Sequence, residues 1–107
     1  MGQVIRAIKL MTDYHCPPLW ADDDVEVGPL DHDEFPLSPE LKSALWDWAA
    51  TYDRTLNQEN PRDSGFSSDA ERSEFDREGR RLWRALQQEL PNVVVSYFSV
   101  RDYKLHR

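Results

Sequence analysis

Residues 91–100 read PNVVVSYFSV and contain the strongest strand signal in the chain. β-Branched and aromatic residues dominate this stretch, and the proline before it ends any preceding helix. A second strand is predicted over residues 3–11, QVIRAIKLM, where apolar residues alternate imperfectly with Arg6 and Lys9. Because the two strands lie far apart in sequence, the fold depends on what connects them.

Two helices are predicted between these strands. The first covers residues 38–57, with Ser38 as its N-cap and Pro39 at its first position. Its apolar stripe consists of Leu41, Leu45, Trp48, Tyr52 and Leu56. The second begins at Ser68 and Glu71, which form a capping box, and ends before Pro91. Its apolar face consists of Phe75, Gly79, Leu82, Leu86 and Leu90. The order β-α-α-β predicts an α+β fold, with an α-hairpin packed on a small sheet formed by the N- and C-terminal strands.

Gly79 interrupts the apolar face of the second helix. A glycine inside a helix costs about 1 kcal/mol relative to alanine, so it indicates close packing against another element, with Trp48 or Tyr52 as candidates. The connector before this helix, residues 58–67, is rich in turn residues. Phe66 is predicted to anchor this connector by packing beneath it, as a hydrophobic residue before a helix cap does.

The 107 residues predict a single domain over 1–107. Residues 13–37, rich in proline and acidic residues, are predicted to be a long acidic loop segment. Residues 25–27 are a candidate edge strand within it. The basic tail, residues 101–107, is expected either to fray or to continue the last strand.

The charge distribution favours a protein partner over nucleic acid. Residues 1–64 hold 13 acidic and five basic side chains, whereas residues 65–107 hold seven acidic and eight basic ones. The acidic half would repel a phosphate backbone and attract a basic protein surface. No stretch is apolar enough for a signal peptide or a membrane span, and a single cysteine fits a reducing compartment. The expected location is the cytoplasm.

The stretch HCPPLWADDD, residues 15–24, combines several reactive and polar residues. His15, Cys16 and His32 are the right elements for a metal-dependent enzyme, which stays open as an alternative. Neighbouring His15 and Cys16 would point in opposite directions in an extended chain, however, and no recognised metal-ligand spacing occurs. No cofactor, catalytic residue or metal ligand is therefore assigned.

A partner-binding surface is the preferred interpretation of the acidic segment. Trp20 is an anchor of the kind enriched at interface hot spots, and the acidic residues around it provide a charged rim. The predicted contacts are Trp20, Asp22, Asp23, Asp24, Asp31, Asp33 and Glu34.

Two motifs carry a resemblance that covers nearly the whole chain. Asp13, Tyr14, Cys16, Pro18, Leu19 and Trp20 match the pattern D-Y-x-C-x-P-L-W. Tyr52, Asp53, Thr55, Leu56, Asn57, Ser64, Gly65 and Phe66 match the pattern Y-D-x-T-L-N…S-G-F. The chain resembles a family of small, mostly uncharacterised bacterial proteins of the kind found in actinomycetes. The resemblance implies a bacterial cytoplasmic protein without catalytic residues, in which Asp53, Thr55 and Asn57 serve the fold through hydrogen bonds to the backbone.

Small size, acidity and the lack of a catalytic constellation together predict a non-enzymatic binding module. Its most concrete form is an immunity or inhibitor protein that blocks a basic toxin or nuclease. The alternative is a homodimeric structural or regulatory protein in which the strand VVVSYFSV pairs across a two-fold axis through a sheet edge.

Overall fold

A computed structural model describes residues 7–22, 27–30, 35–56, 65–66 and 68–107. Within them, three strands precede two helices, and two further strands follow. The strands are β1 (Ala7–Leu10), β2 (Leu19–Asp22), β3 (Val27–Pro29), β4 (Val94–Ser99) and β5 (Lys104–His106), and the helices are α1 (Pro39–Asp53) and α2 (Asp69–Glu89). The predicted α+β class, with an α-hairpin between N- and C-terminal strands, is confirmed. No helix among these residues is long and apolar enough to cross a membrane.

The five described strands form one mixed sheet in the order β3-β2-β1-β4-β5. β1 and β4 pair in parallel, with Ile8 opposite Val95 and Leu10 opposite Tyr97, and the other neighbours are antiparallel. All four of these side chains are buried among residues of the helices. Because side chains alternate along a strand, Lys9 and its cross-strand partners, Trp20 and Ser96, lie on the opposite face of the sheet.

Local sequence signals fix the beginnings of both helices. The Ser38 hydroxyl accepts a hydrogen bond from the Leu41 amide, and the Ser68 hydroxyl accepts one from the Glu71 amide. The Glu89 carboxylate, near the end of α2, also accepts hydrogen bonds from the amide and the hydroxyl of Ser38, at 2.6 and 2.9 Å. The cap of the first helix is thereby tied to the end of the second.

The core lies between the helices and one face of the sheet, and Gly79 is buried where α2 approaches Trp48 and Tyr97 closely. A Cβ atom added there would lie 2.5 Å from the Tyr97 hydroxyl and 2.6 Å from the Trp48 ring. The predicted close approach to Trp48 is confirmed, while the second neighbour is Tyr97 rather than Tyr52. Phe66 packs on the second helix, with its ring 5.0 Å from that of Phe75, while most of the connector that it was expected to anchor lies outside the described residues.

The expectation that residues 13–37 form a loop segment is wrong for two stretches, since β2 and β3 both lie within it. An edge strand was expected at residues 25–27, of which 25 and 26 lie outside the described residues, and the structure has a strand at Val27–Pro29. Short strands of this kind are defined by their pairing, β2 with β1 and β3 with β2, and not by local propensity. The first helix ends at Asp53, four residues before its predicted end.

The C-terminal region also differs from one expectation. The tail at residues 101–107 turns back and adds β5 to the sheet. β4 pairs with β1 on one side, and its last three residues, 97–99, pair with β5 on the other. In the alternative homodimer, pairing along the whole strand VVVSYFSV would therefore have to displace β5.

Candidate functional site

The β2–β3 hairpin positions the described part of the predicted contact surface. Trp20 lies on the sheet face opposite the helices, half-buried, and its indole N–H donates to the Met11 carbonyl at 2.9 Å. Asp22 ends β2, opposite Val27 of β3. The indole N–H, the only side-chain donor of Trp20, is therefore already bonded within the protein. Asp22 lies at the end of the hairpin where β2 leads into β3.

The remaining predicted contacts, Asp23, Asp24, Asp31, Asp33 and Glu34, lie outside the described residues, as does His32. Their points of attachment are described. Residues 23–26 connect β2 to β3, and residues 31–34 follow Leu30, whose amide donates to the Leu19 carbonyl at 2.8 Å. The two acidic segments are thus attached at opposite ends of the same hairpin.

The turn after β1 is held against the end of α1. The rings of Tyr14 and Tyr52 stack with centroids 4.6 Å apart, and the Tyr14 and Thr55 hydroxyls are hydrogen-bonded at 3.1 Å. The His15 amide donates to Asp53 Oδ1 at 2.9 Å, which stabilises His15 at a φ of 60°. Burial, followed by the neighbouring Tyr14 and Asp13, raises the pKa of Tyr52 to about 12.

These contacts explain why the two sequence motifs occur together. The first motif supplies the turn and the second supplies the helix end that holds it. Thr55 also donates to the Tyr52 carbonyl at 2.6 Å, a side-chain bond to the backbone of the type predicted for this helix end. Asp53 also bonds a backbone group, the amide of His15 in the other motif, and Asn57 lies outside the described residues.

A small cavity of about 340 Å³ lies between this turn and α1. Its lining consists of His15, Cys16, Pro17, Trp46, Ala49, Ala50 and Asp53. Trp46 is 48% exposed. Sequence reasoning placed Trp46 off the apolar stripe and assigned it no role, although a large aromatic on the outer side of a helix is itself a signal of an interaction surface.

A larger groove of about 880 Å³ separates the end of α1 from the start of α2. Trp48, Phe66 and Phe75 contribute aromatic rings to its lining. Its charged residues are Asp47, Arg54, Glu71, Glu74, Glu78 and Arg81. Glu78 pairs with Arg81 and Glu74 with Arg77, so several of these charges are compensated within α2.

A buried carboxylate joins α2 to the sheet. Asp76 is 3% exposed and accepts hydrogen bonds from the hydroxyls of Tyr97 at 2.7 Å and Ser99 at 2.6 Å, and from Arg80 Nε at 2.9 Å. Burial alone would raise the pKa of Asp76, but the hydrogen bonds from Ser99, Arg80 and Tyr97 outweigh it and lower this pKa. Sequence reasoning missed this network, although Asp76 and Arg80 have helical i, i+4 spacing.

The alternative metal site has no support in the described part of the chain, where no three His, Cys, Asp or Glu side chains are grouped to hold an ion. His15 and Cys16 line the small cavity beside α1, and Cys16 is a free, half-buried thiol.

A family model described as Serratia CdiI immunity protein-like matches residues 6–100. The chain belongs to this family. An immunity protein acts by binding a toxin, so the chain is a binding protein whose partner is another protein. No curated protein matches the sequence.

Family membership changes how the surfaces of this immunity protein are read. The hairpin, the small cavity and the groove between the helices become candidate contacts with a toxin, not candidate active sites. Asp76, Tyr97 and Ser99 are buried where α2 packs on β4, so they hold the scaffold that displays those surfaces.

Proposed function

We propose that the chain neutralises a toxin with a basic surface, such as a nuclease, by covering that surface with its acidic hairpin. Residues 22–34 contain seven acidic side chains and no lysine or arginine. The observation that carries the proposal is that β3 is the outer strand of the described sheet, with this acidic sequence attached at both ends of its hairpin.

The hairpin gives the acidic residues a rigid support. Residues 19–22 pair with residues 27–30, a length of about 10 Å at roughly 3.3 Å per residue. The predicted contacts Asp22, Asp23 and Asp24 belong to one end of this frame, and Asp31, Asp33 and Glu34 follow the other. A basic cleft could therefore be engaged at two separated points, with Trp20 on the sheet face between them.

The opposite edge of the sheet has the opposite character. Around β5, Arg101, Lys104 and Arg107 outnumber Asp102. A toxin with a basic surface would be drawn to the β3 edge and repelled from the β5 edge, which sets the orientation of the encounter. Neutralisation in the cytoplasm fits this proposal, because the single free cysteine needs no oxidising compartment.

The test uses the toxin encoded by the reading frame next to the gene in the native genome. The triple variant D22K/D23K/D24K should lower the affinity about tenfold or more at low salt and flatten its dependence on ionic strength. D31K/D33K/E34K should act in the same direction. The control, E40K/D69K/Q87K/Q88K, makes the same change of net charge at exposed helical positions that line neither the groove between the helices nor the small cavity. Equal affinities for all three variants and the parent would refute the acidic-hairpin proposal.

A further inference from the structure

We propose that the slot between α1 and the turn at residues 15–17 receives one arginine side chain of the toxin. This inference rests on the proposed function, because it takes the partner to have a basic surface. It adds a second, separate point of contact, formed by parts of both sequence motifs.

The shape of the slot follows from residue spacing on α1. Trp46, Ala49, Ala50 and Asp53 follow an i, i+3, i+4, i+7 pattern and therefore lie along one strip of the helix surface. The two alanines leave open space between the larger side chains at the ends, and the turn at residues 15–17 forms the opposite wall. A cavity of about 340 Å³ is at the lower end of the range for ligand sites, roughly 300–1,000 Å³, and suits a single side chain.

Trp46 differs from the other three tryptophans in its exposure. Trp20 and Trp83 are half-buried, and Trp48 is 3% exposed. Trp46 is 48% exposed and lines the slot. Tryptophan is the preferred aromatic partner of a cation, and arginine is the cation found most often in such contacts.

Asp53 supplies the charge at the far end of the slot. Its Oδ1 accepts the His15 amide at 2.9 Å, which fixes the carboxylate against the turn. A carboxylate has about four acceptor positions, so it can bind a further donor without losing this bond. The neighbouring Arg54 does not neutralise it there, because its guanidinium bonds Thr51 Oγ1 at 3.2 Å and lines the other groove.

Arginine fits this arrangement better than lysine. Its planar guanidinium can stack on an indole and donate to a carboxylate at the same time, while its aliphatic part contacts the alanines and Pro17. Among the described residues that line the slot there is one carboxylate and no lysine or arginine, so the charge there is complementary to a cation.

Three single variants test the slot against the same toxin. W46A removes the aromatic wall, and D53N removes the charge but keeps an oxygen to accept the His15 amide. A50R fills the slot with the protein's own guanidinium at an exposed helical position, where arginine is well tolerated. Each should weaken binding about tenfold, in keeping with the loss of an interface anchor.

Matched controls lie elsewhere on the surface. Y103A removes an aromatic that is 78% exposed on the turn before β5. E40Q neutralises an exposed carboxylate at the other end of α1, and Q88R adds one positive charge to the exposed side of α2. Affinities within twofold of the parent are expected for all three.

The result separates this inference from the proposed function. If the hairpin reversals weaken binding while W46A, D53N and A50R do not, the slot inference is wrong and the acidic-hairpin proposal stands. If only the slot variants weaken binding, the acidic hairpin is not the contact and the slot is.

A direct probe needs no toxin. In a ¹H–¹⁵N spectrum of the full chain, Nα-acetyl-arginine amide should shift the indole signal of Trp46 in a saturable manner, at millimolar concentrations. Nα-acetyl-citrulline amide, which has the same shape without the charge, should not, and D53N should reduce the shift. Equal responses to arginine and citrulline would overturn the assignment of a cation site.

Discussion

Replacing Gly79 with alanine should destabilise the protein, although alanine is the better helix former. The new Cβ would lie 2.5 Å from the Tyr97 hydroxyl and 2.6 Å from the Trp48 ring, both in the core. Overpacking of this kind costs about 1–3 kcal/mol, and displacing the Tyr97 hydroxyl from Asp76 loses a hydrogen bond to a charged group worth about 1.5–3 kcal/mol. The gain in helix propensity returns only about 1 kcal/mol. The net loss should be about 2–4 kcal/mol.

Urea denaturation followed by tryptophan fluorescence measures this loss. The midpoint should fall while the slope with denaturant stays the same. Q88A, on the exposed side of the same helix, is the control and should change the free energy of unfolding by less than about 0.5 kcal/mol. In a Y97F background the nearest clashing atom is absent, so G79A should cost less than in the parent by at least about 0.5 kcal/mol. A G79A protein as stable as the parent would refute the packing argument.

Three further predictions concern the contacts that hold the elements together. D76N should lower the free energy of unfolding by about 2–4 kcal/mol, measured by urea denaturation, because buried donors lose a charged acceptor. In the parent, the stabilisation from Asp76 should be complete above the ordinary pKa of 3.8 and should be lost as the pH falls towards the lowered pKa of Asp76 in the folded protein. The reason is that the unfolded chain binds more protons than the folded chain in this pH range. The stability of D76N should therefore depend less steeply on pH in acid. D53A should speed hydrogen exchange of the His15 amide whereas D53N should not, since only alanine removes the acceptor. E89A should lower the thermal midpoint by several degrees by releasing the two donors of Ser38, and a midpoint equal to that of the parent would contradict a role for this bond.

The helices could be predicted because their signals are local. Ser38 and Pro39 predict the start of one helix, and Ser68 with Glu71 predicts the start of the other. Each signal is contained within four consecutive residues. The predicted pairing of the first and last strands is confirmed. Its parallel direction was not predicted, although the two helices between the strands provide the crossover connection that parallel strands need.

β2 could not be predicted in the same way. Its four residues, LWAD, follow two prolines and end in an aspartate, a residue depleted in strands. What makes them a strand is a partner on each side, β1 and β3, and neither pairing is encoded within the stretch itself.

The candidate contacts were only partly accessible to sequence reasoning. The density of acidic residues pointed to residues 22–34 from composition alone. The slot depends on the approach of His15 and Asp53, 38 residues apart in sequence, and it brings Trp46 next to a turn that no periodicity connects with it. Asp76 was missed because a carboxylate on a helix is usually solvated, and its burial depends on donors supplied by β4.

The parallel pairing of β1 with β4 has a consequence for when protection begins. β1 can pair with β2 early, but residues 7–10 find their parallel neighbours at residues 94–97, so the centre of the sheet cannot assemble until some 87 further residues have been synthesised. At about 5–20 residues per second, this delay is roughly 4–17 s. During that interval α1 and α2 have no complete sheet to pack against, and a nascent chain cannot display its hairpin on a finished frame. Under the proposed function, a newly started chain therefore contributes nothing during this delay, and a toxin that enters in that interval meets only the molecules already completed.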